Sequence, residues 1–510
     1  MSDAAAPPTS PRDPEGTSGR SLRERLLRPT LPELWTFLAV ALPVLASLIA
    51  TLPTVDLAYQ LRAGDDILVG RGIPNVDTWT FTAAGRPWLD QQWGAQAILA
   101  AVHGTTGWAG LAVLRAGLVG ATFGLILLAI RRRQPGLKGR VSAWLTLAAF
   151  IVAAPALALR PQLLAMACFA LALALLAGRR ERPRAVWLVP LVAVAWANLH
   201  GSFILAPALV GLAWLEDIGE RSPRAGRTFG AALLTGAATL ITPFGLEAWR
   251  YAAGLASNRE VTSRITEWQP TTPTDVPGIL FWASVVLVAV AALIIVRRGV
   301  TVTWPSIVTL VAFAALGAVA ARGIAWWPGV AAVTLVGLLQ RPAGLGEAGT
   351  VAPRTELGQS INAHVALGIV LACLAVLPVW RPIDVATRAP AGLLGQAPAT
   401  ITFFLRDVAT PADRVWNPQV WGSWFEFAVP APTYAFDSRI EVIPSDAWTD
   451  GDTVAAAGPG WEAILDARGV TMVVAGGDRE LPLAAALSAS PAWRILVDGG
   501  DGSIWVRSGR

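Results

Sequence analysis

Apolar stretches recur along the first 380 residues of the chain, separated by short polar segments. A helix needs about 20 apolar residues to cross the hydrocarbon core of a bilayer, so the pattern predicts a polytopic bundle of about eleven membrane-spanning helices. The predicted fold class is therefore mainly α. The predicted spans are 35–53, 109–130, 141–159, 162–178, 185–199, 202–218, 228–243, 277–296, 304–321, 323–339 and 361–380.

The segment 91–104 is apolar but shorter than a span. It contains His103 and ends at Gly104-Thr-Thr-Gly107. We predict a helix that lies at the membrane interface. If this segment crossed the membrane, the basic loop 131–140 after the next span would lie outside the cell, against the usual distribution of arginines.

Arginines cluster in alternate segments between the predicted spans, which is the pattern of cytoplasmic loops. The pattern predicts an amino terminus inside the cell and a carboxyl terminus outside it. The predicted inner loops are 131–140, 179–184, 219–227, 297–303 and 340–360, the last with Arg341 and Arg354.

Composition agrees with this class, since 54% of residues are hydrophobic and 15% are charged. The net charge of +5 comes from the arginine clusters between spans, so we expect no nucleic-acid partner. Cys168 and Cys373 lie within apolar stretches, and the chain has three histidines. These counts argue against a disulfide framework and against a zinc site.

Three regions follow from these patterns. Residues 1–34 are rich in Pro, Ser, Asp and Arg, and predict a disordered cytoplasmic tail. Residues 35–380 form the membrane domain, with an outer loop at 54–93. Residues 381–510 have the composition of a small extracytoplasmic α/β domain. Its predicted helices are 401–408 and 461–467, and its predicted strands are 414–416, 433–436, 470–474 and 494–497.

Polar and aromatic residues gather in the predicted outer loops, although ionisable groups at the ends of apolar helices are costly. Such groups tend to face a cavity within the protein. The candidate site residues are Asp56, Tyr59, Asp77, Trp88, Asp90, Gln92, Trp93, Arg160, Gln162, Asn198, His200, Glu267, Trp268 and Arg322.

Each candidate also has a structural interpretation. Asp56 is suited to cap the helix predicted over 57–69. Arg160 and Arg322 are suited to reach lipid headgroups. His200 is as well explained by a structural hydrogen bond, and the tryptophans by an aromatic belt. The segment 78–82 alternates like a strand, so its aromatic residues are expected to pack rather than to bind a ligand.

The residue types together favour sugar transfer from a lipid carrier. Two arginines suit a phosphate group, through charge-assisted hydrogen bonds. Tryptophan faces suit sugar rings or lipid tails. A carboxylate at the mouth of the cavity suits a general base that deprotonates a hydroxyl.

The chain resembles the polytopic GT-C glycosyltransferases that use lipid-phosphate sugars, near the bacterial Rgt and protein-mannosyltransferase-like branch. The resemblance covers about residues 35–340 in outline. The motif residues are Asp56-Leu-Ala-Tyr59, Gly64, Ile67-Leu68, Gly70-Arg-Gly-Ile-Pro74, Asp77-Thr-Trp-Thr-Phe-Thr82, Gly85-Arg-Pro-Trp88, Gln92-Trp93, Arg160-Pro-Gln162, Trp196-Ala-Asn-Leu-His200-Gly and Glu267-Trp268.

This resemblance implies a multi-pass cell-membrane enzyme that takes a sugar from a polyprenyl-phosphate carrier. It implies that Asp56 is the catalytic acidic residue, or the position of a divalent cation (Mg or Mn) if one is bound. Gln92 stands where a second acidic residue is expected. Either Asp90 substitutes for that residue or the second carboxylate is absent.

In this hypothesis, Arg160 and Arg322 bind the carrier phosphate, while His200 and Glu267 orient donor or acceptor. The acceptor is a glycan, a lipid or a protein. Two alternatives remain open at this point: a transporter or flippase of lipid-linked sugars, and a non-catalytic envelope assembly protein. The loop motifs expected at 417–424 and 436–439 favour a lid over an acceptor-binding surface.

Overall fold

The computed structural model describes residues 21–339 and 356–509. Within these residues the chain is mainly helical, with a small sheet near the carboxyl end, which confirms the predicted fold class. The predicted inner-loop residues Arg341 and Arg354 lie outside the described residues, as do residues 1–20 of the predicted tail.

The first part of the chain is built from helices of very different length, and each predicted span overlaps one of them. The helices are α1 Leu22–Leu27, α2 Leu31–Ile49, α3 Thr54–Leu68, α4 Trp93–Arg133, α5 Gly139–Ala153, α6 Pro161–Ala177, α7 Val189–Ala197, α8 Leu205–Gly219, α9 Ala225–Ala238, α10 Leu246–Ser257, α11 Arg259–Arg264, α12 Val276–Arg297, α13 Trp304–Val319, α14 Trp327–Leu338 and α15 Glu356–Ala375.

In the described part of the chain, six helical segments are long and apolar enough to cross a membrane. They are Leu31–Ile49, Trp93–Arg133, Gly139–Ala156, Gly201–Gly219, Val276–Arg297 and Glu356–Ala375. Four further apolar helices are shorter: Pro161–Ala177, Pro183–Ala197, Trp304–Val319 and Trp327–Leu338. The predicted count of eleven spans and their orientation therefore stay predictions, because several predicted spans form helices of fewer residues.

The predicted tail contains helix in its described part, which differs from the expected disorder. Helix α1 begins with a capping box: the Glu24 amide donates to Ser21 Oγ at 3.2 Å, and the Ser21 amide donates to Glu24 Oε2 at 2.9 Å. Such reciprocal bonds satisfy backbone donors that a helix start leaves unpaired. Helix α2 then begins at Leu31, inside the predicted tail.

Helix α4 contains a break at Gly107, whose backbone angles are φ 65° and ψ −163°. The break separates the segment predicted at the interface from the span that follows. The first part of α4 packs closely on α3 at Gly64, where an added Cβ would lie 2.2 Å from the Gln96 carbonyl oxygen. A side chain larger than glycine would therefore push the two helices apart.

A buried arginine fixes the path from α2 into α3. Arg115, on α4, donates from Nη1 to the Thr51 carbonyl and from Nη2 to the Ala50 carbonyl, both at 2.5 Å. The last carbonyls of a helix have no partner within it, so these bonds close the end of α2. They also place the start of α3, which carries Asp56.

The carboxyl-terminal part combines five helices with a five-stranded sheet. Its helices are α16 Ala399–Val408, α17 Gln419–Ala428, α18 Ser445–Ala455, α19 Trp461–Ala467 and α20 Leu481–Ala489. The strands of the molecule are β1 Leu52–Pro53, β2 Leu394–Gly395, β3 Arg414–Trp416, β4 Thr433–Tyr434, β5 Met472–Ala475, β6 Trp493–Gly499 and β7 Gly502–Arg507. The sheet order is β4-β3-β5-β7-β6, with β3 parallel to β4 and β5, and β7 antiparallel to β5 and β6.

The predicted helices and strands of this part all correspond to observed elements, with small shifts at their ends. The expected loop motif around Trp421 and Trp424 is wrong, because these residues lie in α17. Burial of its aromatic side chains stabilises the helix, since Trp424 and Phe425 are fully inaccessible to solvent.

The carboxyl-terminal part is joined to the predicted outer loop 54–93 by backbone hydrogen bonds. The Phe81 amide donates to the Tyr434 carbonyl at 3.0 Å, and the Tyr434 amide donates to the Trp79 carbonyl at 3.4 Å. The segment around Thr80 thus runs beside β4, as its alternating pattern predicts. A second junction is the parallel pair of β1 and β2.

Candidate active site

A cavity of about 310 Å³ lies where α3, the start of α6 and the segment 261–268 meet the carboxyl-terminal part. Its lining is rich in polar groups. Most candidate residues contribute to it, namely Asp56, Tyr59, Gln92, Arg160, Gln162, His200, Glu267, Trp268 and Arg322. The tertiary structure therefore brings five separate segments of the predicted outer face together.

Four charged side chains in this cavity form a continuous chain of ion pairs, which we call the open network. Arg160 Nε lies 3.1 Å from Asp56 Oδ2, and Arg160 Nη1 lies 2.5 Å from Glu267 Oε1. Arg322 Nη2 lies 3.3 Å from the other Glu267 oxygen, Oε2. Both arginines thus pair with carboxylates of the protein.

Local sequence explains how the open network is positioned. Arg160 precedes Pro161, and a residue before proline is held in the extended region. Its backbone angles of φ −137° and ψ 164° turn the chain into α6 at this point. Helix α3 begins at Thr54, so Asp56 lies within its first turn rather than at the capping position, and its carboxylate pairs with Arg160.

The charges of the open network stabilise one another. The nearby Asp56 carboxylate raises the pKa of Arg160, against the effect of burial and with the help of Glu267. Burial by itself would raise the pKa of Glu267, but Arg160 and Arg322 together lower it below its ordinary value. Glu267 is therefore ionised at neutral pH and occupies a clamp formed by two guanidinium groups.

His200 lies beside this network in its neutral form. Burial, and then the charge of Arg322, lowers the pKa of His200 to about 3. Its Nδ1 accepts a hydrogen bond from the Ser202 amide at 3.1 Å. Since Nδ1 accepts, the proton of the neutral ring is on Nε2. His200 is thus equipped to donate a hydrogen bond rather than to act as a base.

Gln92, which stands in place of the expected second acidic residue, belongs to a chain of neutral groups. Gln60 Nε2 donates to Gln92 Oε1 at 3.0 Å and to the Tyr59 hydroxyl at 2.5 Å. Burial, and then Asp56, raises the pKa of Tyr59 well above its ordinary value, so the phenol keeps its proton. This wall of the cavity is polar but uncharged.

Asp90 does not line the cavity. It is almost fully buried, and its Oδ1 accepts a hydrogen bond from Gln96 Nε2 at 2.7 Å. Burial raises the pKa of Asp90 to about 7. The carboxylates that do line the cavity with Asp56 are Glu267 and Glu441.

Four other candidates lie outside the cavity lining and make structural contacts. Trp93 Nε1 donates to Asn198 Oδ1 at 3.0 Å, which ties the start of α4 to the end of α7. Asp77 pairs with the buried Arg439 at 2.5 Å. The ring of Trp88 lies 4.6 Å from the Arg439 guanidinium carbon. Their predicted part in substrate binding is untested by this geometry.

Several lining residues were not among the candidate site residues. Tyr251, from α10, donates its hydroxyl to Glu441 Oε1 at 3.2 Å. Burial raises the pKa of Glu441. Gln396, Gln419 and Ser438 also reach the cavity from the carboxyl-terminal part. Such residues carry no sequence signal of their own, because they meet the cavity only through contacts between residues far apart in the chain.

No group of three or more His, Cys, Asp or Glu side chains suited to a metal ion occurs within residues 21–339 and 356–509. Asp56, the predicted position of a divalent cation, pairs with a guanidinium group. The predicted cation therefore stays a prediction, and no step below depends on it.

No model of a known protein family matches the chain, and no curated protein matches it. Solved structures of ArnT from Cupriavidus metallidurans are similar to it. In the apo state the identity is 14% and the TM-score 0.47, with 92% of this chain and 96% of that chain covered. Bound to undecaprenyl phosphate, the identity is 15% and the TM-score 0.49, with 92% and 97% covered.

These identities and TM-scores are too low to establish a shared activity. The function proposed below therefore rests on the residues of the cavity.

Proposed function

We propose that the protein is an integral-membrane glycosyltransferase that moves a sugar from a polyprenyl-phosphate carrier to an extracytoplasmic acceptor. The acceptor is a glycan, a lipid or a protein of the cell envelope. The observation that carries this proposal is the open network, in which two arginines hold one carboxylate beside a second acidic residue in a polar cavity. Apolar helices adjoin that cavity, as a lipid carrier requires.

The clamp around Glu267 has the geometry of a phosphodiester site. Arg160 and Arg322 contact opposite oxygens of the same carboxylate. A phosphodiester also has one negative charge shared by two terminal oxygens, so it matches the same pair of guanidinium groups. On binding, the phosphate would take the place of Glu267, whose carboxylate is then free to accept hydrogen bonds from substrate hydroxyls.

Asp56 is the group placed to act as general base. Its carboxylate contacts the guanidinium of Arg160, so the base and the proposed phosphate site meet at one residue. In the proposed reaction, the acceptor oxygen bonds to the anomeric carbon while its proton passes to Asp56. The bond from that carbon to the phosphate oxygen breaks, and polyprenyl phosphate leaves with the electron pair. Arg160 and Arg322 stabilise the charge that grows on the phosphate.

The proposal is tested by replacing the base in the full-length protein, which is purified and then reconstituted into vesicles made from cell envelopes. Labelled undecaprenyl-phosphate glucose, galactose, mannose and arabinose serve as donor probes. We expect Asp56→Asn to lower sugar transfer by roughly 10²- to 10⁴-fold, the usual contribution of a general base. Asp66→Asn is the matched control, because Asp66 lies on the same helix and pairs with the exposed Arg71.

Wild-type transfer by Asp56→Asn would remove Asp56 from the mechanism. If the wild-type protein transfers sugar from none of the four probes, the proposed function is contradicted. Movement of labelled lipid across the vesicle membrane without a new glycosidic bond would favour a flippase instead.

A further inference from the structure

Three buried glutamines line the cavity and leave polar atoms without partners. They are Gln60 on α3, Gln91 just before α4, and Gln162 in the first turn of α6, and each side chain is more than nine-tenths buried. The unpartnered atoms are Gln60 Oε1, Gln91 Oε1 and Gln162 Nε2. Buried polar atoms are rarely left unpaired in a folded protein. Three of them around one cavity indicate a ligand that completes their hydrogen bonds.

The position of these amides is built into the backbone. Gln91 lies against Gly201, where an added Cβ would be 2.7 Å from Gln91 Nε2. Gln60 is held in place by its two hydrogen bonds to Tyr59 and Gln92. Gln162, in the first turn of α6, lines the same cavity as Arg160 of the proposed phosphate clamp.

The chemistry of the three amides specifies the ligand class. An anion offers only acceptors and leaves the two amide oxygens unsatisfied. A hydroxyl group both donates and accepts, so it satisfies an amide oxygen as well as an amide nitrogen. The amides carry no charge, and a charged substituent buried against them would lose its hydration without gaining a counter-ion.

We propose that Gln60, Gln91 and Gln162 form the subsite that holds the sugar ring of the lipid-linked donor. The ring presents free hydroxyl groups, and no charged substituent, to the amides. This inference rests on the proposed function, because the position of the phosphate defines where the attached sugar lies.

The test compares the carrier lipid without a sugar and the same carrier with a sugar attached. Binding of undecaprenyl phosphate and of undecaprenyl-phosphate glucose, galactose, mannose and arabinose is measured on the purified full-length protein in nanodiscs. We expect Gln91→Leu and Gln162→Leu each to weaken binding of the best sugar-bearing lipid about tenfold, the cost of about one net hydrogen bond. Their affinity for undecaprenyl phosphate should stay within about twofold of wild type.

Gln134→Leu is the matched control. Gln134 donates to the Leu339 carbonyl at 3.1 Å and does not line the cavity, so its replacement should change neither affinity. Gly201→Ala is a second variant that keeps Gln91 in the chain but displaces its amide. It should reproduce the selective loss of the sugar-bearing lipid.

The thermal unfolding temperature gives an independent readout. Leucine removes a buried atom without a partner, so Gln91→Leu and Gln162→Leu should unfold no lower than wild type. A purely structural role predicts lower unfolding temperatures together with equal losses for both kinds of lipid, and that result would overturn the subsite.

The remaining outcomes separate the subsite from the proposed function. If wild type binds undecaprenyl phosphate but the variants keep full affinity for every sugar-bearing lipid, the amides bind water only and the subsite is wrong. Undecaprenyl-phosphate glucosamine and glucuronate serve as charged probes in the same titration. If wild type binds either of them more tightly than the four neutral-sugar lipids, the proposed neutral character of the sugar is wrong. If wild type binds none of the lipids, the proposed function fails, and the subsite fails with it.

Discussion

Two arginine–carboxylate networks lie near opposite ends of α6 and differ in how deeply their central carboxylates, Glu267 and Asp217, are buried. The open network lies near the start of the helix, where Asp56, Arg160, Glu267 and Arg322 keep 25–37% of their side-chain surface accessible. The second network lies at the other end, and we call it the closed network. Its members are Arg133, Arg179, Arg180, Glu216, Asp217, Glu220 and Arg224.

The closed network uses its charges within the protein. Asp217 is fully buried and accepts hydrogen bonds from Thr228 Oγ1 at 2.7 Å, Arg179 Nε at 3.3 Å and Arg224 Nη2 at 3.5 Å. The neighbouring cavity has about 70 Å³, against about 310 Å³ at the open network. The same residue types therefore fix helix ends at one site and leave room for a ligand at the other.

The largest expected difference between the two networks is in stability. Removing one partner of a buried ion pair leaves an uncompensated charge, so Asp217→Asn should lower the free energy of unfolding by about 3–5 kcal/mol. Glu267→Gln should cost about 1 kcal/mol or less, since its pairs are partly exposed. Denaturant unfolding of the detergent-solubilised variants measures both. Equal losses of unfolding free energy in the two variants would show that the two networks do not differ in their contribution to stability.

The second expected effect is on the pH dependence of stability, through the buried Asp90, which belongs to neither network. The pKa of its carboxyl is about 7 in the folded protein, against an ordinary value of 3.8. Between these values the unfolded chain loses the proton while the folded protein retains it, so Asp90 lowers stability as pH rises from about 4 to about 7, by at most roughly 4 kcal/mol.

Asp90→Asn should remove this contribution. The variant should gain stability relative to wild type at pH 7.5 and lose that advantage near pH 4. Thermal unfolding of both proteins across this range provides the measurement. A constant difference at every pH would show that Asp90 is ionised in the folded protein.

The third expected effect is on carrier binding. Arg160→Gln removes charge-assisted hydrogen bonds worth about 1.5–3 kcal/mol, so affinity for undecaprenyl phosphate should fall roughly 10- to 100-fold. Arg180→Gln makes the same change in the closed network and should leave that affinity unaltered. Titration of nanodisc-embedded protein compares the two. If both variants lose affinity for undecaprenyl phosphate to a similar extent, the phosphate does not bind specifically at the open network.

The smallest expected effect concerns Trp268, whose ring centroid lies 5.0 Å from the Arg322 guanidinium carbon. Such a contact contributes about 0.5–1 kcal/mol at a partly exposed site, so Trp268→Leu should weaken carrier binding about two- to fivefold. Trp268→Phe should recover part of the loss because it keeps an aromatic face. Trp144→Leu is the control, since that exposed ring packs on Trp35 away from the cavity. No recovery with phenylalanine would indicate that Trp268 acts by shape alone.

The sequence predicted much of the fold because hydrophobic periodicity is local. The helices at 401–408 and 461–467 and the short strands of the carboxyl-terminal part were recognisable from their own residues. The helix over 419–428 was missed because its glycine, serine and paired aromatics resemble a loop motif. The apolar residues of this helix are buried by contact with α3, and that contact cannot be read from the local sequence.

In the candidate site, too, some residues were recognisable from the local sequence and others only from the tertiary structure. Asp56, Arg160, Glu267 and Arg322 were recognisable because charges at the ends of apolar helices are costly and need a reason. Glu441 and Gln419 were not, since glutamate and glutamine in a soluble domain are ordinary surface residues. Asp77 is also conspicuous in the sequence by its charge; the structure pairs it with Arg439 in the interior, and its predicted part in substrate binding stays a prediction.

The sequence by itself determined that the chain is mainly helical, that it is apolar enough for a membrane, and which ionisable residues lie at the ends of its apolar stretches. These properties depend on neighbouring residues along the chain. Only the tertiary structure decided which charges meet, since pairing depends on distance in space. It placed Arg160 between Asp56 and Glu267, made the carboxyl-terminal part a wall of the cavity, and left three buried amides without partners.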